Sequence, residues 1–215
     1  MRGVRNWQKL QAYCFDAVVF SLLVRLPVVV TVTLPPPGIR IMLSALVIVA
    51  AFWDIRTRRI PNWLTLAGVI LGFALNMFLF ERPLEGLLYS LKGFGLALGI
   101  YMVLYVLHAM GAGDVKLMAA VGATVGAANW FGILVLTSVA GAVAGLALVM
   151  FKGRLHRTLV NVGIIITSLG RGRAPYKQTP ELDVSSDQGM RLPHGALIAL
   201  GTLGFLAAAL RWAPR

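Results

Sequence analysis

The chain is written as long apolar runs separated by short polar breaks. A membrane-crossing helix needs about 20 apolar residues, within a range of about 17 to 25. Clear runs of that kind fall at residues 63–80, 87–107, 130–151 and 195–210, the last slightly short. Residues 41–53 form a shorter run, and Asp54 follows it directly. That segment crosses only if the carboxylate is drawn to the membrane boundary. Residues 117–128 are small and glycine-rich and read as a short crossing, because Trp130 opens another long run directly afterwards. Residues 18–34 are interrupted by Arg25 and Pro27. No small-residue cleavage site follows them, which favours a crossing over a re-entrant segment or a signal peptide. The pattern predicts an all-α fold, a polytopic transmembrane bundle of six to seven helices.

Composition strengthens this picture. Of 215 residues, 58% are hydrophobic and 13% charged, against roughly 25% charged in a soluble domain. Cys14, the single cysteine, has no partner for an internal disulfide and reads as inert packing. A net charge of +12 raises nucleic acid as a partner. No interleaving of aromatic and basic residues accompanies it, so anionic membrane lipid is the better reading and nucleic acid is excluded.

The distribution of that charge orients the chain. With seven crossings, one side holds Arg2, Arg5 and Lys9, the loop arginines 56, 58 and 59, Lys116, and seven basic residues between Lys152 and Arg191. The other side holds Arg40, Arg82, Lys92, Arg211 and Arg215. The positive-inside bias makes the richer side cytoplasmic. Small residues four apart, Gly95 with Gly99, Gly122 with Gly126 and Gly141 with Gly145, suggest close helix packing. Residues 159–169 are too short to cross and read as an interfacial helix or buried loop, and 170–189 as a polar, flexible stretch.

Candidate chemistry lies in the acids, of which there are eight. Carboxylates at the edge of lipid are costly, and Asp54 and Asp114 both sit at ends of apolar runs. Two crossings separate them, so both return to the same leaflet. Two carboxylates sharing one proton hydrolyse a peptide bond without metal or covalent intermediate. Gly111 and Gly113 leave the backbone beside Asp114 open to unusual conformations and close approach. Ile60-Pro61-Asn62 stops one helix and starts the next, with Pro61 in its first turn. Trp53 and Trp63 bracket the basic loop as interfacial anchors. Each aspartate also has a structural reading, Asp114 as the N-cap of a helix from Val115 and Asp54 as a partner of Arg56 or Arg58. Asp16 has neither motif around it. Lys116 reads as a snorkelling lysine, with headgroup pairing or tuning of the acid as alternatives. His108, His156 and His194 lack the spacing of a helical metal motif, so no metal or other cofactor is expected.

These residues resemble the type IV prepilin peptidases, membrane aspartic proteases of the GxGD class. Asp54 with Ile60-Pro61-Asn62 is similar to the family's first motif, and Gly111-Ala112-Gly113-Asp114-Val115-Lys116-Leu117 to its second. The segment from Leu192-Pro193-His194-Gly195 onward is similar to its last helix, except that His194 stands where an aromatic residue is expected. The resemblance covers roughly residue 41 to the C-terminus. It implies a peptidase domain at 41–215, including a cytoplasmic basic loop at 152–192, behind an N-terminal segment at 1–40. It further implies Asp54 and Asp114 as catalytic, with Gly111, Gly113, Lys116, Pro61, Asn62 and Pro193 in support. The implied substrate is a prepilin with a basic leader and an apolar helix, cut at the cytoplasmic face of a bacterial inner membrane. Residues 1–40 lack the paired cysteines of larger relatives, so no methyltransferase activity is expected, and the compact form looks like the Flp-type members. Two rivals are an ion- or proton-coupled transporter and a non-catalytic assembly protein of a secretion system.

Overall fold

The computed structural model describes residues 34–108, 110–153 and 193–212. The expected first crossing at 18–34, the segments at 159–169 and 170–189, Cys14, Asp16 and His156 lie outside the described residues, apart from Leu34. Among the described residues the fold is all-helical, with five helices: α1 (Pro37–Thr57), α2 (Asn62–Leu79), α3 (Pro83–Val106), α4 (Ala112–Phe151) and α5 (His194–Trp212). All five are long and apolar enough to cross a membrane. Pro37 and Pro83 begin their helices, where the missing N–H costs nothing. Pro61 stands one position earlier than expected, as the N-cap of α2 rather than in its first turn.

The six to seven expected crossings correspond to five helices among the described residues because 18–34 lies outside them, apart from Leu34, and because 117–128 and 130–151 form the two limbs of one continuous stretch, α4, of 40 residues. That helix bends sharply at Gly126, whose φ of 72° and ψ of 172° are not helical. Its two limbs pack on different neighbours. The first runs alongside α2, where a Cβ on Gly113 would stand 3.3 Å from Ile60, one on Gly68 3.3 Å from Ala120, and one on Gly72 2.8 Å from Thr124. It runs against α3, where Gly122 meets Gly93 and Ala97, and Gly126 meets Tyr89. The second limb runs against α5: Gly132 meets Phe205, Thr137 meets Gly201, and Gly141 meets Leu197. The first limb therefore leads away from Asp114, and the second leads back toward the end of the bundle where α5 begins.

A bend in an apolar setting leaves backbone carbonyls without their helical partners, which is expensive where no water replaces them. Two side chains meet that need. Asn76 donates from Nδ2 to the carbonyls of Ala123 at 3.1 Å and Thr124 at 3.0 Å. The same amide lies 2.9 Å from Ser90 Oγ. Tyr89 donates its hydroxyl proton to the Val125 carbonyl. Asn76 and Ser90 are fully buried, so this polar cluster forms part of the core.

Close helix approach involves Gly122 and Gly126 of α4, as the spacing suggested, but on α3 it comes from Gly93 rather than from Gly95 and Gly99. Gly93 faces Gly122, with backbone touching backbone. Gly95 and Gly99 instead meet nothing within 4 Å. The core joins Leu43, Val47 and Ala50 of α1 to Leu117, Met118 and Val121 of α4 and Ile198 of α5. Large apolar side chains such as Ile41, Phe78 and Val103 cover the outside, as a lipid-facing surface requires.

Candidate active site

Asp54 lies in the last turn of α1, the negative end of that helix dipole, and is 7% exposed. A carboxylate there needs outside support. α5 supplies it. The carbonyl of Pro193 accepts the N–H groups of Ala196 at 3.2 Å and Leu197 at 3.3 Å. Gly195, in the same first turn, has no such partner inside its helix. Its N–H points at Asp54 and donates to Oδ2 at 2.8 Å. The carboxylate thus sits on the positive end of α5. It forms no ion pair with Arg56 or Arg58, unlike Arg82 and Glu85, which pair at 3.2 Å at the start of α3.

Asp114 occupies the first turn of α4, also a positive helix end. The helix begins at Ala112 with Gly111 as N-cap, so Asp114 is inside the helix rather than capping it. Its carboxylate folds back over Gly111 and takes a backbone hydrogen bond there. The charges of Asp54 and His194 both act on it, and Tyr101 of α3 lies within electrostatic reach. Two aspartates remote in sequence therefore come within electrostatic reach of each other where α1 ends and α4 and α5 begin.

The expected supporting residues divide into those that touch this arrangement and those that shape its surroundings. Neither Gly111 (φ −78°) nor Gly113 inside α4 uses a left-handed backbone, so the expected conformational role does not hold. What they provide is room. A Cβ on Gly113 would sit 3.3 Å from Ile60, and one on Gly111 would sit 3.3 Å from Asp114 Oδ2. Lys116 does not simply snorkel: its ammonium donates to Asn62 Oδ1 at 2.9 Å. This bond ties the start of α2 to the start of α4. Arg58, left-handed at φ 53°, closes α1 by donating its N–H to the Asp54 carbonyl at 2.8 Å. Trp53 and Trp63 meet edge to face, centroids 6.1 Å apart, across the loop they flank. Pro193 shapes the turn that presents Gly195.

Gly195 was absent from the residues expected to form the site, as were Ile60 and Tyr101. The turn Pro193-His194-Gly195 is visible in the sequence, but nothing in it announces Asp54 as the acceptor.

Long apolar helices enclosing a carboxylate pair at one end define a polytopic membrane protein with a polar site at the rim of its bundle. Residues 41–146 match the type IV leader peptidase family, to which the chain is similar over that segment. The matched segment contains both aspartates and both motifs around them. No curated protein and no solved structure matches the chain at a significant level.

Proposed function

We propose that the chain is a membrane aspartic endopeptidase that removes the leader of Flp-like prepilins at the cytoplasmic face of a bacterial inner membrane. The observation that carries this reading is that Asp54, held by the Gly195 N–H at the first turn of α5, lies within electrostatic reach of Asp114 in the first turn of α4. The peptidase domain spans residues 41–215, and the basic residues around the site support the inner leaflet as its location.

Two like charges in a low-dielectric setting do not both ionise, so the pair holds one proton. The ionised carboxylate takes a proton from water as the water oxygen bonds to the scissile carbonyl carbon. At the same time the protonated carboxyl gives its proton to the carbonyl oxygen, forming a neutral gem-diol. In the second half, the leaving nitrogen takes the proton gained from water and the C–N bond breaks. The other carboxylate recovers a proton from a diol hydroxyl. A new carboxylic acid and a new amine result, and the pair is restored. No cofactor takes part. Affinity for the substrate comes from its apolar helix lying in lipid against the bundle, since a basic leader and a basic surface repel.

Asp54→Asn and Asp114→Asn keep the shape and remove the chemistry. Each variant is expected to accumulate in the membrane and to leave a co-expressed prepilin at full size on a gel, with wild type trimming it in the presence of chelator. Trimming by both variants would refute the reading. A transporter or an assembly factor would leave the prepilin untrimmed by wild type as well.

A further inference from the structure

Two tryptophans stand beside the carboxylates and face outward. Trp53 is 36% exposed and Trp63 60%, whereas Trp130 is wholly enclosed by the core. The two outward rings meet edge to face, their centroids 6.1 Å apart, and form one aromatic unit where the loop joins α1 to α2. On the bilayer side of this unit the exposed side chains are apolar, Ile48 of α1 with Leu66 and Ile70 of α2. On the other side stand the exposed Arg56, Arg58 and Arg59. An indole has an apolar body and one polar N–H, so it settles where those two surroundings meet, at the level of the lipid headgroups.

The pair is joined to both acids. Trp53 directly precedes Asp54 in the chain. Trp63 follows Asn62, whose Oδ1 accepts a proton from the Lys116 ammonium at 2.9 Å, and Lys116 lies two residues beyond Asp114 on α4. The loop between the rings is fixed locally. The Thr57 hydroxyl lies 2.9 Å from the Trp53 carbonyl and 3.1 Å from the Arg59 carbonyl, and Arg58 turns left-handed to close α1. A shift of the rings along the bilayer normal therefore carries both carboxylates with it.

We propose that Trp53 and Trp63 are positioning residues that set the depth of Asp54 and Asp114 in the bilayer, and with it how far from the start of a substrate's apolar helix the chain is cut. The substrate helix is placed by the same lipid boundary that holds the rings, so the boundary is a common reference for both proteins. A helix rises about 1.5 Å per residue, so a change in depth of about 2 to 3 Å moves the bond offered to the acids by about one or two residues. The place of the cut rests on the peptidase reading, whereas the setting of depth stands without it.

Two measurements test this, each on wild type and two double variants. Trp53→Leu with Trp63→Leu keeps apolar bulk and loses the headgroup preference, while Trp53→Tyr with Trp63→Tyr keeps an amphipathic ring. Should the leucine pair not fold, Trp63→Leu, at the more exposed ring, takes its place in both. The first measurement reads depth. A nitroxide on Arg59→Cys, in full-length Cys14→Ser protein in vesicles of phosphatidylcholine and phosphatidylglycerol, is compared for exposure to oxygen and to a water-soluble nickel chelate by electron paramagnetic resonance. The leucine pair is expected to draw the label toward the hydrocarbon by about 2 to 3 Å, one or two residues of helix rise, and the tyrosine pair to leave it at the wild-type depth. A leucine pair at the wild-type depth, or a tyrosine pair displaced as far as the leucine pair, overturns the proposal whether or not any prepilin is cut. The second measurement reads spacing, in purified prepilins carrying a graded series of alanine insertions between the cut bond and the apolar helix. The insertion trimmed fastest is expected to shift by about one or two residues in the leucine pair and to return in the tyrosine pair. A leucine pair slowed equally at every length, with the wild-type optimum, overturns the proposal, because that is damage without displacement. Wild type that trims at no length removes the peptidase reading alone and leaves the label depth to decide.

Discussion

Replacing Gly195 by alanine separates the geometry of the site from the stability of the helix. The N–H that holds Asp54 survives the substitution, so no donor is lost. The added Cβ would stand 3.0 Å from Asp54 Cβ and Oδ2 and 3.1 Å from Cγ. Ordinary carbon contacts are about 3.5 to 4.0 Å, so the carboxylate has to retreat by about 0.5 to 1 Å. A displacement near 1 Å in a reacting group costs on the order of 100-fold in rate. Stability responds differently: overpacking costs about 1–3 kcal/mol, while exchanging glycine for alanine in a helix returns about 0.5–1 kcal/mol. The expected protein therefore folds, loses at most about 2.5 kcal/mol, and trims prepilin about 10- to 100-fold more slowly. Gly204→Ala is the matched control, since a Cβ there meets nothing within 4 Å on the same helix. Initial rates on purified prepilin in detergent, beside thermal unfolding of both variants, give the comparison. Equal rates for the two variants would refute the claim that Gly195 is held small by its carboxylate neighbour.

Gly126→Ala should be far more damaging to folding, because the residue has φ 72° and its Cβ would run into the Tyr89 ring; a left-handed non-glycine costs about 1–3 kcal/mol before the clash is counted, and the yield of folded protein in detergent measures it. Asn76→Leu should destabilise by about 1–3 kcal/mol for each carbonyl left unmet, seen as a lower unfolding temperature with the carboxylates untouched. Lys116→Met and Asn62→Ala should each slow trimming modestly and fail to add in the double variant, because both remove one 2.9 Å bond; full additivity in a rate cycle would show that the two residues act separately.

Much of this architecture could be read from the chain because a helix in lipid must be apolar over its whole length. The runs at 63–80 and 87–107 became Asn62–Leu79 and Pro83–Val106 with small changes at their ends. The run at 41–53 understated α1, which extends to Pro37–Thr57. Hydropathy stops at the first polar residues, whereas the backbone continues its hydrogen bonding until Arg58 turns left-handed. The break in α4 was expected, since 117–128 and 130–151 read as separate crossings, but its place at Gly126 was hidden for another reason. One glycine among 23 carries no local mark, and the bend depends on Asn76 and Tyr89 arriving from other helices. Helix faces were equally obscure on α3: Gly93 and Gly95 are two positions apart and lie on opposite sides, so the spacing rule that found Gly122 and Gly126 on α4 chose the wrong pair there. In the site, Asp54 and Asp114 stood out because charge is rare there. Asn62 and Gly195 acquire their partners only through packing, Lys116 in one case and Asp54 in the other.

The hydrogen bond to Asp54 also has a meaning in time. Its donor lies 141 positions further along the chain, so a ribosome that has delivered the first acid must still synthesise most of the protein before the matching amide exists. A nascent chain halted before the last helix carries both aspartates yet lacks the group that holds one of them in register.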